Sequence, residues 1–468
     1  MGSSVKFKKD GSIMSSLGNE LNYRYLLVII LLLFSNTSCN IETKDEPIVI
    51  EETVIDSVWS GHPVGFSLLT HKNKQFVGYY DQNRIMTLAS RNIGDKKWAK
   101  KHLFAEKLGW DSHNSIEMAM DREGYLHVSG NMHNDSLVYY RSRKPYNVQS
   151  LQKINKMTGK LEQSVTYPMF IKNREKGELL FIYRSGGSGK GKRLVNVYNL
   201  ETKSWQRLLE QPLFNGSNYD MNSYPAPPKV GPKGWYHIVW MWRNTPDCET
   251  NHDISYIKSR DFKNWQTVGG KSVSLPITPD NKDVIVDPVE PEGGLINMEH
   301  KVSFDKKGRP VIIYHKYDKQ GDSQIYLTRW KNSKWNVNRL SNWDKRWNFE
   351  GRGSIPCKVW GSALKIRDGK LSMNWYNQYI GKGRWILDSN TLEIVDRLDL
   401  KSKVPESLNE PQTNLEGVQV HWKQNTGDSV SKNGRYYLRW ETLPANRDRA
   451  RSKSIPAPSR LKLYYFKY

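Results

Sequence analysis

The chain has 468 residues, in which 71 Lys and Arg outnumber 48 Asp and Glu to leave a formal charge of +23. That balance describes long-range attraction to polyanions, so nucleic acid, anionic lipid and acidic glycan all stand as partner classes. Three cysteines exclude a disulfide-stapled framework, and the length admits either one large all-β domain or several smaller ones.

The N-terminal stretch narrows the partner classes. Arg24 and Tyr25 lead into LLVIILLLFSNTSC, whose apolar run from Leu26 to Phe34 is too short to span a bilayer comfortably. A charged start, an apolar core and a small-residue site are the parts of a secretory signal, with Met14 as a candidate true start. Ser38-Cys39 resembles the end of a bacterial lipoprotein signal, which implies a lipid on Cys39 and Cys39 as the first mature residue. The acidic run from Asn40 resembles the export tag of surface lipoproteins; an ordinary cleaved signal is the alternative. The expected division is a signal segment at 1–38, an acidic tether at 39–55 and one domain at 56–468. The expected location is the outer membrane or cell surface, with periplasmic or secreted protein as the alternative. Contact with membrane is expected only through Cys39.

From about residue 60 a unit recurs: a Gly or Asp turn, a strand of aromatic and β-branched residues, a second strand rich in Tyr, and a loop ending in Trp. Copies begin at HKNKQFVGYY, DREGYLHVSG, NREKGELLFIYRS, GPKGWYHIVWMW, FDKKGRPVIIYH and RDGKLSMNWY. A seventh is expected from GVQVHWKQ, GRYYLRW and the C-terminal LKLYYFKY. Small antiparallel sheets repeated at this length predict an all-β, seven-bladed β-propeller in a single domain; a β-sandwich or two barrels is the alternative. LKLYYFKY is expected to close the ring by pairing with the first blade, since an open ring leaves a bare sheet edge. Trp98, Trp205, Trp265 and Trp335 are expected to pack between blades, and SRDFKNW resembles an Asp-box without its glycine. RDRARSKSIPAPSR reads as a solvated basic loop, and 269–300 as a strand-poor insertion walling the mouth.

A ligand of such a ring sits where inner strands and loops of several copies converge. His113 and His133 flank the turn-plus-strand unit of the second copy, and Tyr167 in VTYP leads into the third. Arg184 follows on that copy's strand, and Tyr224 in SYP leads into the fourth. His127 reads as hydrogen-bonded scaffold. Such a set suits β-elimination of a uronic acid, in which a carboxylate is neutralised, the C5 proton removed and the departing O4 protonated. A permanently charged planar Arg184 suits the first task. His113 and Tyr167 would exchange the proton, as a neutral imidazole or a phenol acidified by nearby cations can. His133, Tyr224 and Arg243 would hold the sugar.

The segments DSHNS, GNMH, VTYP, YRSGGSG, WMWRNTPD and NHDISYIKS resemble the BNR-repeat propellers of the ulvan lyase group, polysaccharide lyase families twenty-four and twenty-five, over about residues 50 to 468. The resemblance implies a lyase that cleaves ulvan, a sulfated polymer of rhamnose and uronic acid, with His113, His133, Tyr167, Arg184 and Tyr224 at the family's catalytic and binding positions. Two other readings are a propeller hydrolase of rhamnose-glucuronic acid linkages and a non-catalytic glycan-binding propeller. No clear acidic pair of the kind hydrolysis requires stands in the mouth motifs.

Cys248, His252, His315 and Cys357 are a candidate set for one structural zinc, with unrelated thiols as the alternative. No organic cofactor is expected. GGSGKGK does not fit the phosphate-loop spacing, and nucleic acid is not an expected partner.

Overall fold

A computed structural model describes residue 1 and residues 46–103, 106–172, 177–297, 299–367, 369–428, 431–452 and 454–468. The signal segment, Cys39 and Met14 lie outside the described residues. Residues from Glu46 to Tyr468 form one compact unit. Short 3-10 turns apart, its described elements are strands.

The described strands fall into seven sheets, antiparallel but for the short parallel pairing of Ser67–His71 with Thr426–Gly427. Six of them are built mainly from consecutive strands, beginning at Ser67–His71, Ile116–Met120, Val165–Lys172, Asn222–Pro225, Lys301–Phe304 and Val359–Gly361; the first also takes in Thr426–Gly427, and the third takes in His133–Asp135 from the chain of the second. The expectation of a seven-bladed propeller is therefore corrected to a six-bladed one. The remaining sheet is a composite of both chain ends, with Ile48–Val58 hydrogen-bonded to Ser459–Lys467, followed by Gly434–Thr442 and Gln419–Gln424.

Ring closure is corrected with it. LKLYYFKY pairs with the N-terminal strand, with Tyr465 opposite Glu51 and Leu463 opposite Thr53, and not with the first blade. Residues 48–55, expected in the acidic tether, are thus part of the fold. Their acidity has a structural use: Glu51 pairs with buried Arg91 at 2.6 Å, Asp56 with Lys100 at 3.0 Å, and Glu52 with Lys462 at 2.8 Å. The Tyr79 hydroxyl also donates to Asp56 at 2.6 Å. Two of these ion pairs and the tyrosine bond tie the composite sheet to the first blade.

Inner strands such as Leu179–Ser185 and Tyr236–Arg243 are buried along their whole length, so side chains on both faces supply the packing between sheets. Trp205, 6 % exposed, lies against Tyr139 of the second sheet and Phe170, Phe181 and Tyr198 of the third. Trp335 packs edge-on against Tyr256 of the fourth sheet. Asp261 of the Asp-box-like segment accepts from the backbone N–H of Lys263 and Asn264 at 2.8 Å each, which folds the turn that buries Phe262 and Trp265. His127 is scaffold: fully buried, it bonds to Tyr139 Oη at 2.7 Å and faces Asp121 at 3.3 Å.

Candidate active site

Inner strands and their connecting loops converge on a cavity of about 850 Å³. Its wall includes His113, His133, Tyr167, Arg184, Tyr224 and Arg243, so the residues named from sequence as catalytic or substrate-binding share one space. They come from the second, third and fourth repeats.

The two imidazoles stack, with ring centroids 4.4 Å apart and planes 28° from parallel. One carboxylate holds both. Asp111 Oδ1 accepts from His113 Nδ1 at 2.7 Å, and Oδ2 accepts from His133 Nδ1 in a short contact. A carboxylate can only accept, so each Nδ1 carries the hydrogen, and in the neutral ring Nε2 is then the nitrogen with the lone pair. Burial raises the Asp111 carboxyl, but the two imidazole hydrogen bonds outweigh it and hold the group well below the usual carboxylate range. Asp111 lies inside DSHNS, yet its role is visible only once His133 is folded back beside it.

Tyr167 sits at a kink that its sequence explains. The register between its strand and Leu179–Ser185 shifts between Thr166 and Met169, and Tyr167 adopts φ +54°. A left-handed tyrosine before Pro168 is an unfavourable backbone state that the surrounding sheet must hold in place. Its ring meets His113 at 5.8 Å and Tyr224 at 6.5 Å between centroids, and the Arg184 guanidinium lies 5.1 Å from the ring centre.

Both tyrosines feel burial against cationic neighbours, with opposite outcomes. Burial and Tyr224 push the Tyr167 phenol up to about 12, overcoming Arg184, Arg243 and Arg193. The Tyr224 phenol is lowered, because Arg243, Arg184 and hydrogen bonds from Ser188 and Asn222 outweigh its burial. The expected acidified phenol is thus Tyr224, and Tyr167 keeps its proton.

The arginines are fixed from behind. Arg184, 3 % exposed, donates through Nη2 to Thr166 Oγ1 at 3.1 Å. A side chain at Gly191 would put its Cβ 2.9 Å from Arg184 Cδ, so the GGSGKGK hairpin can pass this close only with glycine there. From the same hairpin Ser188 reaches Tyr224 Oη at 3.2 Å. Arg243 donates to Asn251 Oδ1 at 2.9 Å and Asn297 Oδ1 at 2.5 Å, and its guanidinium lies 4.1 Å from the centre of the Tyr224 ring. Ile296 and Asn297, from the 269–300 insertion, line the cavity.

The basic loop read as solvated also reaches the mouth through Asp448. Its carboxylate accepts from Ser112 N at 3.2 Å, Ser354 N at 3.0 Å and Ser354 Oγ at 2.6 Å, and lies 3.5 Å from His113 Nδ1. Sequence reasoning missed it because Ser112 is 336 positions away.

The zinc set is not gathered. Among the described residues, the one group of three or more ligand-type side chains whose donor atoms lie within 4.8 Å of one another is Asp111, His113 and His133. Cys357 Sγ donates to Glu299 at 3.0 Å, His315 Nδ1 to the Gly294 carbonyl at 2.6 Å, and His252 Nδ1 lies 3.1 Å from the Asp253 carboxylate. Cys248 is a buried free thiol.

Comparison with known proteins agrees with this architecture. The family model described as "BNR repeat-containing family member" matches residues 74–343. A protein of Pseudoalteromonas sp. (strain PLSV) named "Ulvan Lyase-PL25" is 21% identical over 379 residues, 71% of this chain and 74% of that protein. A solved structure of a polysaccharide lyase PL25 ulvan lyase, bound to -[GlcA(1-4)Rha3S]-, superposes with a TM-score of 0.56 at 14% identity, covering 89% of this chain and 96% of that one. A second solved structure of a polysaccharide lyase PL25 ulvan lyase gives the same values. At that identity the likeness establishes the fold.

Proposed function

The chain belongs to the BNR repeat-containing family, and from that membership together with its cavity we propose that it is a polysaccharide lyase cleaving ulvan by β-elimination at the uronic acid. The observation that carries the reading is the convergence of Arg184, the Asp111-held His113 and protonated Tyr167 on one cavity. The ulvan lyase of Pseudoalteromonas supports the substrate class.

In this reading Arg184 pairs with the uronate carboxylate and makes the C5 proton more acidic. His113 Nε2 takes that proton, its orientation set by Asp111. The C5–H electron pair becomes the C4=C5 double bond, the C4–O4 bond breaks with its pair going to oxygen, and Tyr167 gives O4 its proton. His133, Tyr224 and Arg243 hold the sugar. Neither carboxylate at the mouth suits the acid role of a hydrolase: Asp111 is held ionised, and Asp448 is occupied by Ser112 and Ser354.

The test is incubation with ulvan while following near-ultraviolet absorbance, which the unsaturated uronate raises and a hydrolytic product does not. A rise is expected in the wild type, and none with folded Arg184→Ala or His113→Ala. New reducing ends without absorbance would replace elimination by hydrolysis, and neither signal would leave a glycan-binding propeller.

We also place the protein outside the cytoplasm, lipidated at Cys39, because a polymeric substrate has to be met there. Metabolic labelling with palmitate checks this; label retained in Cys39→Ala would refute it.

A further inference from the structure

A second arginine, outside the set described above, faces the same cavity. Arg193 lies directly opposite Arg184 on the neighbouring strand, in the register that pairs Leu179–Ser185 with Lys192–Asn199. Both guanidiniums line the cavity, and both side chains are buried, at 3 % exposed for Arg184 and 4 % for Arg193. Among the described residues no carboxylate stands within ion-pair distance of either. The Nε of each is buried without a hydrogen-bond partner, and the charged or ionisable neighbours that act on Arg193 are Arg184, Tyr167 and Tyr224.

Like charges directly opposite one another across two strands repel, and burying cations without counter-charge is costly. A fold that pairs two such groups and leaves them facing a solvent-filled cavity is built for an anion that arrives there. Burial and the neighbouring Arg184 lower the Arg193 guanidinium to about 10, so it is still charged at neutral pH.

Resting on the elimination reading above, we propose that Arg193 is a second carboxylate-neutralising residue, matched with Arg184 to the doubly charged form that the uronate carboxylate reaches when C5 loses its proton. The bound uronate carries one negative charge. Removal of the C5 proton leaves an electron pair that delocalises into the carboxylate, which then carries two. One guanidinium balances the first state; a pair balances the second. An interaction that strengthens as charge develops lowers the barrier without tightening ground-state binding.

The experiment compares wild type, Arg193→Gln and Arg193→Lys on ulvan, with kcat and KM taken from near-ultraviolet absorbance and folding checked by circular dichroism and thermal melting. Loss of kcat by about 10²-fold in Arg193→Gln, with KM within about threefold, is the expected result, following the usual size of a lost transition-state donor. Arg193→Lys keeps the charge without the planar fork, so it serves as the folded reference should the glutamine variant unfold, and its kcat is expected between the two. A raised KM at unchanged kcat would overturn the proposal, since Arg193 would then bind a group equally charged in both states, such as a sulfate ester. Wild-type kinetics in both variants would also overturn it. Absence of any absorbance change in the wild type is a different outcome, because it removes the elimination reading itself.

Discussion

Single side chains at this site draw their chemistry from what stands behind them. Asp111 is the clearest case, since one carboxylate orders two stacked imidazoles and fixes which nitrogen of each faces the cavity. Asp111→Asn offers a carbonyl to one ring at most and frees the other, so elimination is expected to slow by about 10²-fold at unchanged fold, read as kcat on ulvan. The same residue predicts an acid limb of stability. Its folded carboxyl titrates below the unfolded value of about 3.9, so the unfolded chain binds the extra proton as pH falls. The stabilisation is present above about pH 4 and is lost below it, and urea titrations should show a shallower acid limb in Asp111→Asn than in wild type. Tyr167 carries the opposite shift. With its phenol at about 12, it keeps its proton through the neutral range, and kcat should show no alkaline loss from this group until pH nears that value. An alkaline limb in kcat centred near 10, together with a tyrosinate absorbance change near 10 that is missing from Tyr167→Phe, would contradict this assignment.

At the scale of elements, the sheets are held by aromatic side chains wedged between them and by ion pairs at the closure. Trp205 touches rings from two sheets, so Trp205→Ala opens a cavity between them and is expected to cost about 3–5 kcal/mol, measured by urea unfolding. The sequence marks it, because Trp98, Trp205, Trp265 and Trp335 recur at like places near the ends of their repeats. The N-terminal strand was not recognised. IVIEETVIDSV is rich in β-branched residues, as strands are, but it lacks a strict period of two, and its acidity next to a signal segment resembles a tether equally well. Only its partners, Lys462, Arg91 and Lys100, distinguish the two.

Across the whole molecule, the formal charge of +23 and the buried arginines of the cavity act at different ranges. Surface charge steers a polyanion and is screened by salt, whereas the cavity is shielded. Raising salt to about 1 M, where the screening length falls to about 3 Å, is therefore expected to raise KM for ulvan while kcat stays within about twofold, measured by initial rates. The sequence by itself determined the all-β repeat, the scaffold role of His127 and six of the side chains that meet in the cavity, because strand period and motif residues are local properties of the chain. The tertiary structure decided the rest: six blades with one composite sheet of both chain ends, Asp448 reaching the mouth from a basic loop, Asp111 shared by two imidazoles, and Arg193 set beside Arg184. Each of these depends on residues distant in the chain or on which way a strand's side chains face, and neither is written in local spacing. Folding alone pairs the two ends and turns separate charges toward one cavity.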